Sequence, residues 1–147
     1  MVVKRVFIVA AIAAGALASA AFVYPFVYHR EEHYRVVFDL TSRDTLDQKA
    51  VLRWIKEIGA SSPGADMEVV MYGKGFELVM PDRSLFTAGV QEAMKNPHVT
   101  FRVCSIALRN NSVDKSKLLT GVETVPDGIG ELVAKQQDKW GYIKVGH

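Results

Sequence analysis

The single cysteine of the chain, Cys104, is the side chain whose position best fits covalent chemistry. It directly follows His98–Val103, a short β-branched and aromatic run that predicts a strand. In an open α/β sheet, reactive groups collect where a strand ends and the next helix begins. The amide groups of that helix, together with Arg102 and Arg109, would favour the ionised thiolate and make the sulfur a nucleophile. A buried structural cysteine is the alternative, because free cysteines are among the most buried residue types.

A solitary cysteine narrows the possible chemistry further. The chain cannot form an internal disulfide, and redox chemistry by a Cys-x-x-Cys pair is excluded. A cysteine hydrolase is not expected either, because Cys104 lacks a histidine within reach. His98 lies at the far end of the same predicted strand, about 20 Å away at about 3.3 Å per residue. The remaining histidines lie near the termini of the chain, at His29, His33 and His147.

Neither a metal ion nor an organic cofactor is expected. The segment His29–His33 matches the letters H-x-x-E-H of a zinc-peptidase helix, but it lies in a polar segment rather than in a buried helix. Two glycine pairs, in Gly73–Gly75 and Gly128–Gly130, complete neither the dinucleotide-binding fingerprint nor the P-loop. Tight turns account for both pairs.

Four further side chains are expected to contact a substrate at the thiol. Tyr72 and Lys74 lie at the carboxyl end of another predicted strand, and the sheet edge would bring them towards Cys104. Ser105 follows the cysteine directly, and Arg109 lies about one helical turn further along the chain. We therefore predict that Cys104 is the catalytic residue and that Tyr72, Lys74, Ser105 and Arg109 bind the substrate.

Composition and charge limit the class of protein. The 147 residues are 49% hydrophobic and 23% charged, proportions that exclude a disordered tail and a multi-span membrane protein. With 18 Lys and Arg against 16 Asp and Glu, the charge is nearly balanced and gives no basic stripe of the kind that neutralises phosphates. Nucleic acid is therefore not an expected partner.

The hydrophobic residues are concentrated at the amino end of the chain. After Lys4 and Arg5, the uncharged run Val6–Tyr28 is long enough to cross a bilayer. Within that run, Ala18–Ala20 has the small-x-small form that a signal peptidase accepts. The two cations would stay on the cytoplasmic side, so the rest of the chain is expected outside the inner membrane.

This pattern predicts three parts of the chain. Residues 1–28 are either a cleaved signal peptide or a retained amino-terminal anchor, and contact with a membrane is expected only through residues 6–28. A polar linker over residues 29–33 leads into one α/β domain over residues 34–147. The predicted location of that domain is the periplasm, as a soluble protein or anchored to the inner membrane.

From Tyr34 onward, short apolar runs alternate with helical spacings. Strands are predicted at Tyr34–Leu40, Met67–Tyr72, His98–Val103, Val122–Val125 and Tyr142–Val145. Helices are predicted at Leu46–Ile58 with a stop at Gly59, Phe76–Met80, Leu85–Lys95 with a cap at Ser84, Ser105–Arg109, Asp114–Leu119 and after Pro126–Gly128. The alternation predicts an α/β fold, a doubly wound and mainly parallel sheet of about five strands with helices on both faces.

Two of the predicted helices carry an apolar face. The residues expected to face the sheet in the third helix are Leu85, Phe86, Val90 and Met94. The residues expected to share one face of the last helix are Ile129, Leu132, Val133, Gln136 and Trp140.

Several motifs resemble, in their order and amino-acid sequence, those of the DsrE/DsrF-like sulfur-relay family, specifically its small exported members. The matching stretches are Val36–Ser42, Tyr72–Gly75, Phe101–Cys104, Leu119 with Gly121–Glu123, Val125–Gly128 continuing through Glu131–Val133 and Gln136–Gln137, and Trp140–Lys144. The resemblance implies a doubly wound domain that assembles into homo-oligomers, often trimers or hexamers. It also implies that Cys104 carries sulfur as a persulfide between a donor and an acceptor protein.

Two departures from the family pattern keep a second function open. Ser105–Ala107 stands where relatives have a small residue, Asn and Thr, and Tyr72 stands where relatives tend to have histidine. A phenol with an ordinary pKa near 10 cannot act as a base at neutral pH. The favoured prediction is a periplasmic sulfur carrier or sulfurtransferase-like protein using Cys104. The alternative is a non-catalytic oligomeric binding or scaffold domain of the same fold.

Overall fold

The computed structural model describes residues 33–146, in which strands and helices alternate. The strands are β1 (Arg35–Leu40), β2 (Asp66–Met71), β3 (Val99–Cys104), β4 (Glu123–Val125) and β5 (Gly141–Val145). The α-helices are α1 (Thr45–Ser61), α2 (Thr87–Ala93), α3 (Ser105–Asn110) and α4 (Gly128–Gln137), with short 3₁₀ helices at Gly75–Val79 and Lys115–Lys117. Each predicted element is present, with ends shifted by a few residues.

All strand pairs in the sheet are parallel, in the order β4-β3-β2-β1-β5. Parallel strands are covered on both faces and are therefore apolar along most of their length, which suits the continuous runs of β1 and β2. Because β2 lies between β1 and β3, the carboxyl ends of these three parallel strands lie next to one another. The predicted doubly wound α/β fold is confirmed.

The two faces of the sheet have separate hydrophobic cores. In β1, Val36 and Phe38 belong to the larger core, which packs against α1 and α2. Val37, on the opposite face, packs with Val70 of β2 and Leu132 of α4. The alternation follows from the two-residue period of a strand, and it confirms the prediction of helices on both faces.

Some predicted boundaries and faces are corrected. Helix α1 continues past Gly59 to Ser61, because the amide of Ser62 caps it by donating to the carbonyl of Ile58. Helix α2 begins later than predicted, since the Ser84 hydroxyl accepts from the amide of Phe86 and holds that turn outside the helix.

Three apolar side chains predicted on helical faces are exposed to solvent. Leu85 precedes α2 and is 78% exposed, so it does not face the sheet. Ile129 and Val133 of α4 are 58% and 48% exposed, whereas Leu132 of the same helix is buried. Only part of the predicted α4 face therefore belongs to the core.

The predicted leader over residues 1–28 and most of the linker over residues 29–33 lie outside the described residues. Within residues 33–146, no helix is both long and apolar enough to cross a membrane. The same part of the chain contains no group of three or more His, Cys, Asp or Glu side chains arranged to hold a metal ion.

Candidate functional site

Cys104 lies where β3 passes directly into α3. It is the last residue of the strand and the N-cap residue of the helix, with no loop between the two. The residue is only 4% exposed, yet it lines a pocket of about 200 Å³. The other residues lining the pocket are Tyr72, Gly73, Ile106, Ala107, Asn110, Asn111, Asp127 and Ile129.

The amino end of α4 closes tightly over this part of the sheet. A Cβ atom added to Gly128 would lie 3.0 Å from the Cβ of Cys104, 3.4 Å from a methyl of Val70 and 3.5 Å from the Cβ of Tyr72. Only glycine therefore fits there without displacing a neighbour. Asp127 caps α4, because its carboxylate accepts from the amide of Ile129 at 3.0 Å. The first turn of a helix carries a partial positive charge, and here the Asp127 carboxylate, which also lines the pocket, compensates it.

A buried carboxylate holds the phenol of Tyr72. Asp39, at the end of β1, is 3% exposed and accepts from the hydroxyl of Tyr72 at 3.2 Å and from that of Tyr142 at 2.6 Å. Burial and the negative charge of Asp39 raise the pKa of Tyr72. The hydrogen bond to Asp39, with burial and charge adding to it, raises the pKa of Tyr142 to about 12. Both phenols are therefore protonated donors at neutral pH.

The prediction that Arg102 supports the thiolate is not supported by its contacts. Its guanidinium is 2.8 Å from the Glu131 carboxylate, 3.1 Å from Glu123 and 3.5 Å from Glu68. Lys135 joins the same cluster, with its ammonium 2.7 Å from Glu68. The positive charge of Arg102 is thus balanced by carboxylates in the layer between the sheet and α4.

Of the four predicted substrate-binding residues, Tyr72 lines the pocket. Lys74 lies just outside it and donates from its ammonium to the side-chain oxygen of Asn111 at 2.6 Å. Ser105 and Arg109 do not line the pocket, and Arg109 is exposed on the last turn of α3. The role of these residues in binding a substrate stays a prediction.

Sequence reasoning missed polar residues that complete the site. Asn110 and Asn111 supply amide groups to the pocket wall, and the Asn111 amide donates to the carbonyl of Ala107 at 2.7 Å. They lie where α3 ends, so polar groups reach the pocket although Ile106 follows the cysteine closely. Asp39 gave one signal in the sequence, since it is a lone carboxylate among the apolar residues of Val36–Leu40.

The fold of this chain also occurs in other proteins of known structure. The chain matches no family model, and no curated protein is significantly similar to it. It is similar to the solved structure of MTH1491 from Methanobacterium thermoautotrophicum, a protein of unknown function. The two share 32% identity over 76% of this chain and 98% of that protein, with a TM-score of 0.71.

Two more distant structures share the fold. BT1422 from Bacteroides thetaiotaomicron, also of unknown function, is 15% identical over 76% of this chain and 94% of its own length, with a TM-score of 0.62. YchN from E. coli is 12% identical over 76% of this chain and 98% of its own length, with a TM-score of 0.61. All three proteins have the DsrE-like fold. The identity and coverage shared with MTH1491 therefore show that the chain belongs to the same family as that protein, with the DsrE-like fold.

Proposed function

We propose that the protein is a periplasmic sulfur carrier that holds sulfane sulfur as a persulfide on Cys104. The observation that carries the proposal is the placement of this residue at the carboxyl edge of a parallel sheet, on the wall of a pocket. Ligands and reacting groups of open α/β sheets collect at that edge. The resemblance to DsrE/DsrF-like sulfur-relay proteins, in which a cysteine at this position carries sulfur, supports the same role.

The transfer requires only the thiolate and two sulfur compounds. The Sγ of Cys104 attacks the outer sulfur of thiosulfate, the new S–S bond forms, and the S–S bond of thiosulfate breaks to release sulfite with its electron pair. The cysteine is left as a persulfide anion, so charge and atoms balance and no external oxidant is needed. An acceptor nucleophile then removes the outer sulfur and restores the thiolate.

The size of the pocket suits this chemistry. A volume of about 200 Å³ is below the range of about 300–1,000 Å³ typical of sites for drug-sized ligands. It is therefore suited to a small inorganic sulfur anion or to one side chain of a partner. The walls supply neutral amide groups in Asn110 and Asn111.

Tyr72 does not act as the base in this reaction. Its raised pKa keeps the phenol protonated, and its hydroxyl donates to Asp39. Cys104 must therefore lose its proton to solvent or to the incoming anion.

The test is to expose the full chain to thiosulfate or polysulfide and to measure its intact mass. The proposal predicts a gain of one sulfur atom that is removed by a thiol reductant and absent from Cys104→Ser. The assignment is unambiguous because the chain has one cysteine. A wild-type mass that stays unchanged, under conditions that load a control carrier, would refute the proposal.

A non-catalytic oligomeric binding domain of the same fold is the second candidate. The 4% exposure of Cys104 and its membership of the larger core favour it. This candidate predicts that Ellman's reagent labels the thiol only after denaturation. Labelling of the native protein at a rate near that of the unfolded chain would count against it.

Export and self-association are part of the proposal. The apolar run of residues 6–28 would direct the domain to the periplasm, and fractionation of cells producing the chain with and without residues 1–28 tests this.

The exposed apolar side chains of Ile106, Ile129 and Val133, on α3 and α4, suit contact with further copies in a trimer or hexamer. Sedimentation of the wild type and of Ile129→Lys tests that contact, and a monomeric wild type would contradict it.

A further inference from the structure

A second concave surface lies on the opposite side of the molecule from α4, between α1 and α2. It is a groove of about 610 Å³ that contains no residue of the Cys104 pocket. Its apolar surface comes from Leu52 and Ile55 of α1, Phe86 and Ala93 at α2, and Val99 of β3. Ile55 and Val99 are buried, whereas Leu52, Phe86 and Ala93 are only partly covered by the core.

The wall formed by α1 is positively charged. Lys49, Arg53 and Lys56 line the groove, and their spacing of three or four residues places them on one side of the helix. Arg53 has a weak ion pair with Glu57 at 3.9 Å. Lys49 and Lys56 form no ion pair with another residue of the described part of the chain.

The facing wall carries little negative charge to balance these cations. Glu92 is the one acidic residue lining the groove within residues 33–146. Its carboxylate is 2.5 Å from the ammonium of Lys95, so its charge is already compensated. A molecule in the groove therefore meets an apolar floor beside uncompensated positive charge.

We propose that this groove binds a small amphipathic anion, a monocarboxylate with an unbranched apolar tail. The tail would cover Leu52, Phe86 and Ala93, and the carboxylate would contact Lys49 or Lys56. The volume of about 610 Å³ lies within the range of about 300–1,000 Å³ usual for small-molecule sites. Long lysine side chains can cover an apolar ligand with their methylene stems while their ammonium groups contact its charged end.

Glycine at two positions keeps the groove open. Gly59 and Gly89 both line it, and a Cβ atom added to Gly89 would lie 3.2 Å from a methyl of Leu52. A larger side chain at position 89 would therefore project into the space assigned to the tail. The exposed position of Gly89 near the middle of α2 makes this substitution tolerable for folding.

The experiment uses a photoreactive diazirine analogue of dodecanoate with the full chain, at concentrations far below saturation. Peptide mapping is expected to locate the cross-links in residues 49–59 and 86–99. Dodecanoate should compete for the site, and dodecyltrimethylammonium, with the same tail and the opposite charge, should not. Decanoate should compete about fourfold more weakly than dodecanoate, if about half the surface of each methylene is buried.

Matched variants distinguish the effect of the lysine charges from nonspecific hydrophobic binding. Lys49→Gln/Lys56→Gln should lower the cross-link yield by about two- to fivefold, the range expected when one exposed ionic contact is lost. Lys115→Gln/Lys117→Gln removes two exposed lysines outside the groove and should leave the yield unchanged. Gly89→Leu should lower the yield without changing charge.

Four results would overturn the proposal. Equal competition by the cationic and anionic twelve-carbon compounds would show that charge plays no part. Cross-links concentrated around Cys104, or a yield unaffected by the Lys49/Lys56 double variant, would place binding elsewhere. A yield that falls as protein concentration rises, in step with self-association, would show that a second copy covers the groove instead.

Discussion

The close approach of Gly128 to Cys104 gives a sharp prediction about stability. Replacement of Gly128 by alanine would place a Cβ atom 3.0 Å from the Cβ of Cys104, a distance that requires α4 or β3 to shift. Overpacking of this kind costs about 1–3 kcal/mol. The gain in helix propensity at this first helical position offsets less than about 1 kcal/mol of that cost.

Gly130 provides the matched control two residues further along α4. A Cβ atom there would come no closer than 3.4 Å to any neighbour, and those neighbours belong to the Asp127 side chain. Gly130→Ala should therefore stabilise the protein by about 0.5–1 kcal/mol through helix propensity. Gly128→Ala should destabilise it by about 1 kcal/mol, so the two substitutions differ in sign.

Urea unfolding of the three proteins measures the difference directly. With a slope of about 2 kcal/mol per molar urea, the midpoint of Gly128→Ala should fall by about 0.5 M. That of Gly130→Ala should rise by about 0.25–0.5 M. Alkylation of Cys104 should also be faster in Gly128→Ala, because the displaced helix uncovers the thiol. Equal midpoints for the two variants would refute the packing argument.

Two further predictions concern the buried carboxylates. The phenol of Tyr142 should titrate at about 12 in the wild type, and its pKa should fall towards the ordinary value in Asp39→Asn. Spectrophotometric titration measures both, with Tyr142→Phe identifying the signal of this phenol. The pKa of this phenol is higher in the folded than in the unfolded state. The stability from the contact is therefore complete below pH 10 and is lost as the pH rises towards 12. A phenol with an unshifted pKa would contradict the contact. Lys135→Met should destabilise the protein by about 3 kcal/mol at pH 7, because it leaves Glu68 buried without its nearest cation. Burial raises the pKa of Glu68, so this loss of stability should become smaller as the pH falls and the carboxyl binds a proton. Urea unfolding measures the loss at each pH, and a loss that does not depend on pH would exclude this explanation.

The fold was largely predictable because its strands carry a simple signal. The runs that form β1, β2 and β3 are short, apolar and rich in β-branched residues, and each is followed by a helix. Patterns of this kind define an α/β sheet before any contact is known. The location of Cys104 at a strand end followed from the same pattern.

Errors at the helices came from local hydrogen bonds and from the depth of burial. Periodicity predicted Leu85 inside its helix, but the Ser84 hydroxyl caps the turn at Phe86. Periodicity also groups Ile129 with Leu132, although only Leu132 reaches the sheet. A spacing pattern gives the side of a helix, whereas the width of the buried stripe depends on how the helix packs.

The surroundings of the thiol could not be predicted because they depend on strand order. Asp39 and Tyr142 are 103 residues apart and meet because β5 pairs with β1. Arg102 is directed away from the thiol because Glu68 and Glu131 converge on it from β2 and α4. The partners in these contacts cannot be paired from the local sequence, since each contact joins elements that are neighbours only in the folded sheet.

The central claim is that Cys104 receives and gives up one sulfur atom in the native protein. It is tested most directly by loading the full chain with polysulfide, removing the excess and adding sulfite. The account predicts one equivalent of thiosulfate per chain, released as the mass returns to that of the unmodified protein. A native chain that takes up no sulfur while its unfolded form does, or a loaded chain that sulfite does not discharge, would contradict it.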